Sequence, residues 1–459
     1  MRAEGAQNAT ANHFGDLNLS ILGLGVEYPP YQLDPSSLDE IAKRHYPDSP
    51  AMNKVRAINQ FTGIDARSSI GPVDHPIANM DRAPTIDELC KIFMKDGVPL
   101  AVTAARKALH EAQLAVQDIT HVVSTTCTNS ANPGFDHYVC KQLGITQPVE
   151  KVLLHGIGCS GGLASLRTAA NLALGSSFRG KPARVLVVAL EISSVMVRSE
   201  LDSIDELQQT RIGVTLFSDC ASAAVLSNGI GETTAEAVYD LLGWDHRMIE
   251  NTEDDLGFDV HPSGWKVVLS PRVPKLASSV VEPTFNDLLA SLPSLPSTYK
   301  AASDFDWALH PGGATILSGV ERTMSITPEH MRASYSTYIN HGNSSSATIF
   351  SVLDLLRTPD MDELAPEKKV KDFVVGCAFG PGIAIEMCML KRNLNHVRRT
   401  LVTSGVVTPP ETDSEGDSTR SDGASTPELV DPEMEIKAGK EVEQQGDSLV
   451  EALNGVDLD

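Results

Sequence analysis

Short, almost uninterrupted apolar runs alternate along this chain with segments of helical spacing. Residues 17–30, LNLSILGLGVEYPP, read as a buried strand closed by Gly and a Pro-Pro stop. Residues 100–114 carry helical spacing, 121–128 (HVVSTTCT) read as a strand, and 151–159 (KVLLHGIGC) as a strand and turn. A helix is predicted over 161–175, a strand over 183–193, and a strand, turn and strand over 213–227. The second half repeats this order more loosely. FDWALHPGG (305–313) is a strand entering a Gly turn, 314–324 and 343–357 are helical, and 372–390 is a strand, turn and strand. Strands of near-continuous Val, Leu and Ile between helices predict an α/β fold with a largely parallel sheet covered on both faces. The pattern divides into a flexible leader (1–16), two related units (17–235 and 236–401) and a tail (402–459), with 284–304 a loop inside the second unit.

Composition changes the picture mainly at the C-terminus. The net charge is −23, and residues 411–459, with 15 acidic and 3 basic residues, carry −12 of it, leaving −11 on the rest. The tail is rich in Ser, Thr, Pro, Gly and acids, too polar to offset its ordering entropy, and is expected to be disordered apart from a short helix over 440–453. The body shows no basic stripe, which argues against a nucleic-acid partner. The seven cysteines are scattered without a CxxC pair, as suits reduced thiols in a cytoplasmic protein. No apolar run approaches the ~18 residues a membrane span needs, no signal-peptide core precedes residue 17, and no metal spacing is present.

The candidate chemistry begins at LLHGIGCSGGLASL (153–166). Glycines 156, 158, 161 and 162 permit a sharp strand-to-helix turn and the close approach of a ligand. Cys159, at the helix start, feels the positive end of the dipole, which favours a nucleophilic thiolate. A small residue filling a tight turn would look the same. A thiolate calls for an imidazole, and His310, at a strand end before Gly312 and Gly313, mirrors the Cys159 junction. Asn343 lies at a further helix start, where it could also serve as an N-cap, and the adjacent His341 is a second candidate imidazole.

Taken together, GCSGG at Cys159, HPGG at His310, HGNSSSA at Asn343 and AFGPG at 378–382 resemble the type III polyketide synthases, the chalcone-synthase-like branch of the thiolase superfamily. LFSDCASA (216–223) and NPGFDHYV (132–139) are similar to further family segments, and the resemblance spans about 17–395. It implies a thiolase-like five-layer αβαβα fold, a homodimer, and direct work on acyl-CoA and malonyl-CoA as substrates, without a cofactor. Cys159 would carry the acyl chain, His310 would hold the thiolate, and His310 with Asn343 would donate to a thioester oxygen. Phe217 falls at the family's gatekeeper position, and Val267, beside Trp265, at a second one that is usually aromatic. Met196 and Phe379 fall near the cavity. Cys127 stands where plant members carry Thr and either shapes the cavity or packs in the core. Lys54 and Arg56, with Gly312 and Gly313, fall near coenzyme A segments, although surface solubility would explain the two cations as well. The acidic extension resembles fungal members, which use fatty acyl starters to make alkylpyrones, alkylresorcinols or alkylresorcylic acids.

Three other readings compete. A ketoacyl synthase III-type enzyme shares Cys, His and Asn but generally lacks the proline of FGPG. A papain-like hydrolase would place a Trp beside its cysteine in a disulfide-rich chain. A non-enzymatic interaction protein would rely on the acidic tail.

Overall fold

The computed structural model describes residues 15–231, 235–262, 264–396 and 398, with only the backbone of Trp265. The leader up to residue 14, the tail and the helix expected over 440–453 lie outside the described residues. The apolar runs become strands β1 (Ser20–Glu27), β2 (His121–Thr125), β3 (Glu150–Leu154), β4 (Arg184–Glu191), β5 (Cys220–Ser227) and β6 (Tyr239–Met248). A hairpin follows, β7 (Leu256–His261) with β8 (Gly264–Leu269), then β9 (Asp306–Leu309), β10 (Phe373–Gly380) and β11 (Ala384–Arg392). Apart from the hairpin these form one nine-stranded sheet in the order β9-β10-β11-β6-β1-β5-β4-β2-β3.

The sheet is mixed. Only β2 with β3, β2 with β4, and β9 with β10 run parallel; the other five pairings are antiparallel. The apolar runs correctly marked strands buried on both faces, but burial does not encode direction, which follows from the connections. The order β2-β4-β5-β1 recurs as β9-β10-β11-β6 with the same parallel and antiparallel steps. The two sets join only where Ser20 and Ile21 face Asp240 and Tyr239.

Helices α1 (Pro50–Gln60), α2 (Val98–Glu111), α3 (Phe135–Leu143), α4 (Gly161–Phe178) and α5 (Val197–Leu207) belong to the first half. The second half supplies α6 (Val273–Ala290), α7 (Ala314–Met324), α8 (Arg332–His341) and α9 (Thr348–Leu356). The first two turns of helix α4 bury residues all round the axis, as a helix end enclosed on every side must, and exposure begins only at Asn171, Gly175 and Phe178. Helix α4 lies with α9 in an apolar cluster that draws Val187 and Leu226 from one half-sheet and Ala378 and Leu390 from the other. A second cluster packs α2 and α3 on the outer face of the first half-sheet, and a third packs α6, α7 and α8 on that of the second. The layers are therefore helix, sheet, helix, sheet, helix.

Some expected elements differ. Residues 213–216 form one helical turn rather than a strand, which leaves Phe217 at its C-cap. Helix α6 continues to Ala290 through Pro283, so the loop expected over 284–304 begins after it. The 121–128 strand stops at Thr125, and the 343–357 helix starts with a 3-10 turn over Ser345–Ala347.

Candidate active site

Cys159 occupies a 3-10 turn, Gly158–Ser160, between β3 and α4. Gly156 (φ 75°) and Gly158 (φ 60°) take left-handed conformations, where a side chain is strained. Gly156 faces open space, but the space beside Gly158, Gly161 and Gly162 is filled by the protein itself rather than left open for a ligand. A Cβ on Gly158 would lie 2.5 Å from Pro381 Cδ, and one on Gly162 would lie 2.5 Å from the Ser346 carbonyl oxygen. A Cβ on Gly380 would lie 2.2 Å from Ser160 Oγ. GCSGG, AFGPG and HGNSSSA, far apart in sequence, thus interlock around one turn.

Asn343 is buried and fastened by its backbone: its N–H donates to the Leu216 carbonyl (2.9 Å) and its carbonyl accepts from Ser218 N (2.9 Å). Its Nδ2 donates to the Gly312 carbonyl at 3.3 Å, and its Oδ1 accepts from Ser345 N at 2.8 Å. The helix start does not by itself settle the charge of Cys159. Burial pushes the thiol up to about 11; hydrogen bonds from the Ser345 and Asn343 side chains pull it down, and the nearby Glu191 carboxylate adds to the rise.

His310, 1% exposed, follows β9, and its N–H donates to the Cys377 carbonyl at 2.8 Å. Burial pushes its imidazole down to about 3, so the ring is neutral near pH 7. Neither ring nitrogen has a hydrogen-bond partner among the described residues. A Cβ on Gly312 would lie 3.7 Å from His310 Nε2, whereas one on Gly313 would meet nothing within 4 Å. The structure therefore joins Cys159 to Asn343 directly and His310 to Asn343 through Gly312. His341, by contrast, stacks on Tyr28 (centroids 3.7 Å apart, interplanar angle 5°), and its Nδ1 lies 3.0 Å from Ser68 Oγ. That ring is held by its neighbours, and burial pushes it down to about 4.

Sequence reasoning missed Glu191. It is fully buried at the end of β4, accepts from Cys127 N (3.1 Å) and Thr128 Oγ1 (2.9 Å), and also bonds Ser346 Oγ. Burial pushes this carboxyl upward. The available signal was an acid closing an otherwise apolar strand, ARVLVVALE. Cys127 Sγ lies 3.4 Å from Glu191 Oε2 and 3.3 Å from Ser345 Oγ, so the two thiols, Cys127 and Cys159, share Ser345 as a partner.

Phe217, Met196 and Val267 line one cavity together with Arg67, His75 and Glu200, with about 70 Å³ open to the centres of water-sized molecules. Phe217 also pairs with Asn343 in a parallel bridge, which sets it between that cavity and Asn343. It meets Phe258, a residue the sequence did not single out, edge to face with centroids 5.7 Å apart. Trp265 pairs through its backbone with Val260 in the hairpin.

Other candidates stand elsewhere. Phe379 is not among the cavity-lining residues: it is 3% exposed and faces the α6–α8 cluster with Val375 and Cys377, because alternate residues of β10 point that way. Arg56 pairs with Asp39 and Asp48 (both 3.2 Å). Lys54 is half-buried on the same helix.

Five layers, with a cysteine and an imidazole held at strand-to-helix junctions of two similar halves and an asparagine in the link between two helices, define a condensing enzyme of thiolase type. The chain belongs to the chalcone and stilbene synthase family, the type III polyketide synthases, and is an acyltransferase: the family's N-terminal domain matches residues 72–230 and its C-terminal domain residues 243–394. It is 68% identical to a solved structure described as a type III pentaketide synthase from Neurospora crassa, over 82% of this chain and 100% of the other, with a TM-score of 0.81. It is 39% identical over 379 residues to the acylalkylpyrone synthase csyB of Aspergillus oryzae, covering 82% of this chain and 94% of that protein. A structure of CsyB complexed with CoA-SH is similar at a TM-score of 0.78 and 38% identity, over 82% of this chain and all of that one. No helix among the described residues is long and apolar enough to cross a membrane.

Proposed function

We propose that this enzyme extends a fatty acyl-CoA starter with malonyl-CoA on Cys159 and closes the product to an alkylpyrone, alkylresorcinol or alkylresorcylic acid. The observation that carries the reading is the hydrogen bond between Cys159 and Asn343, with Asn343 Nδ2 tied through the Gly312 carbonyl to the loop of a neutral His310 whose ring nitrogens have no partner among the described residues, and with Phe217 joining Asn343 to a cavity. The CoA-bound relative and the relative named for acylalkylpyrone synthesis support it.

The Cys159 sulfur attacks the starter thioester, its proton passes to the His310 imidazole, and coenzyme A leaves with a proton. Malonyl-CoA then loses carbon dioxide, and the electrons of the broken C–C bond become an enolate. Two neutral donors, the His310 N–H and Asn343 Nδ2, stabilise the enolate oxygen, a task a neutral imidazole suits. The enolate carbon attacks the acyl-Cys159 carbonyl, forms the new C–C bond and expels the thiolate, and the longer chain leaves on coenzyme A for the next round. Coenzyme A thioesters are the only co-reactants the reaction needs. The division at 235/236, a cytoplasmic location and a homodimer belong to the same reading.

Incubation with labelled malonyl-CoA and starters from acetyl- to stearoyl-CoA, with products read by mass spectrometry, tests it. Carbon dioxide and extended acyl chains are expected, best with long starters, and Cys159→Ala abolishes them. A fully active Cys159→Ala overturns the mechanism. A preference for acetyl-CoA overturns the choice of starter.

A further inference from the structure

The cavity beyond Phe217 contains one acid to which the condensation gives no task. Glu200, on the first turn of α5, is 2% exposed and lines that cavity. Its Oε1 accepts from Val267 N at 2.8 Å, which ties it to the second gatekeeper strand. Its Oε2 is buried and has no hydrogen-bond partner among the described residues. A buried carboxyl oxygen without a partner is destabilising, and a glutamine would satisfy Val267 N equally well, so packing alone does not call for an acid here.

The surroundings leave this carboxyl close to balance between its two forms. Burial pushes it up to about 7; the hydrogen bond from Val267 and the charges of Arg211 and Lys266 act in the other direction. Arg67 and His75 stand on other walls of the same cavity. The face of α5 toward α1 is apolar, with Leu201 and Ile204 in one cluster with Met52 and Val55.

We propose that Glu200 is a specificity-determining residue whose Oε2 hydrogen-bonds a keto or enol oxygen of the extending chain, an enolisable 1,3-dicarbonyl. The acid form donates to a keto oxygen, and the carboxylate accepts from an enol O–H. No covalent bond changes; the contact holds the chain in the cavity so that further extension competes with early ring closure. The inference rests on the condensing reading above, because only that reaction supplies the dicarbonyl.

The test uses the full chain with malonyl-CoA and dodecanoyl-CoA, comparing wild type, Glu200→Gln and Glu200→Leu between about pH 6 and 8.5. The readout is the ratio of twice-extended to longer products by mass spectrometry. Glu200→Leu should raise that ratio about fivefold, equivalent to about 1 kcal/mol. The wild-type ratio should change with a midpoint near pH 7, and Glu200→Gln, which keeps the bond to Val267 N, should lose that midpoint whether or not the leucine variant folds. A wild-type enzyme that makes products whose ratio has the same pH profile in Glu200→Gln overturns the role of Glu200 alone. A wild-type enzyme that releases no carbon dioxide from malonyl-CoA overturns the condensing reading beneath it.

Discussion

The contact between Gly158 and Pro381 ties the Cys159 turn to the AFGPG turn, and two alanine substitutions within the same loop isolate it. Gly156→Ala meets nothing within 4 Å, so it carries only the cost of a left-handed alanine, roughly 1–2 kcal/mol. Gly158→Ala carries a similar conformational cost and also places a methyl group 2.5 Å from Pro381 Cδ and 2.7 Å from Pro381 Cγ. Relieving that collision must shift one turn against the other, at about 1–3 kcal/mol more. A displacement of Cys159 by an ångström lowers turnover by about 10²-fold. Urea unfolding and initial rates of malonyl-CoA-dependent product formation, measured for both variants, give the comparison. Pro381→Ala removes the colliding ring atoms, so Gly158→Ala combined with Pro381→Ala should be more stable than the sum of the single effects by at least about 1 kcal/mol. If Gly158→Ala costs no more than Gly156→Ala, or the cycle shows no coupling, the interlocking of these turns does not position Cys159.

Three further outcomes follow from the same structure. Asp306 and Arg332, both fully buried, pair at 2.9 Å at the base of β9, the strand that leads into His310, so Asp306→Asn should cost about 3–5 kcal/mol in urea unfolding. Replacing both partners with apolar residues of similar volume should cost less, and an exposed-pair value below about 1 kcal/mol would refute the account. Ser345→Ala removes a hydrogen bond that favours the Cys159 thiolate and should slow its alkylation by iodoacetamide at pH 7 by about threefold or more; an unchanged rate would place Ser345 outside that balance. Folding depresses the His341 pKa to about 4, below the value near 6.5 in an unfolded chain, so the unfolded state binds more protons as pH falls and stability is lost over that window. His341→Phe should therefore flatten the dependence of unfolding free energy on pH between about 6.5 and 4, by at most about 1.4 kcal/mol per pH unit, and an unaltered slope would contradict the buried, neutral ring.

Much of the architecture could be read from local pattern, because the length of an apolar run and the glycines after it act over a few residues. The helix over 314–324 and the strand–turn–strand of 372–390 formed close to where their patterns put them. The three junctions bearing Cys159, His310 and Asn343 were visible for the same reason: each is a polar residue at a strand end or helix start beside small residues. What a residue meets across the fold was not visible. That the glycines of GCSGG lie against Pro381 and Ser346, that Phe379 turns to the core while Phe217 reaches both Asn343 and the cavity, and that Arg56 pairs with two aspartates are all matters of long-range contact. Glu191 shows in sequence only as an acid closing an apolar strand and Glu200 as an ordinary acid, and only burial in the assembled layers raises their pKa values and leaves Glu200 Oε2 with no hydrogen-bond partner among the described residues. Sheet direction belongs with these. The sequence by itself determined which segments are strands and helices and which turns can carry chemistry; tertiary structure decided the order and direction of the strands and the partners and charge of the site residues, since those depend on solvent exclusion by segments hundreds of residues apart.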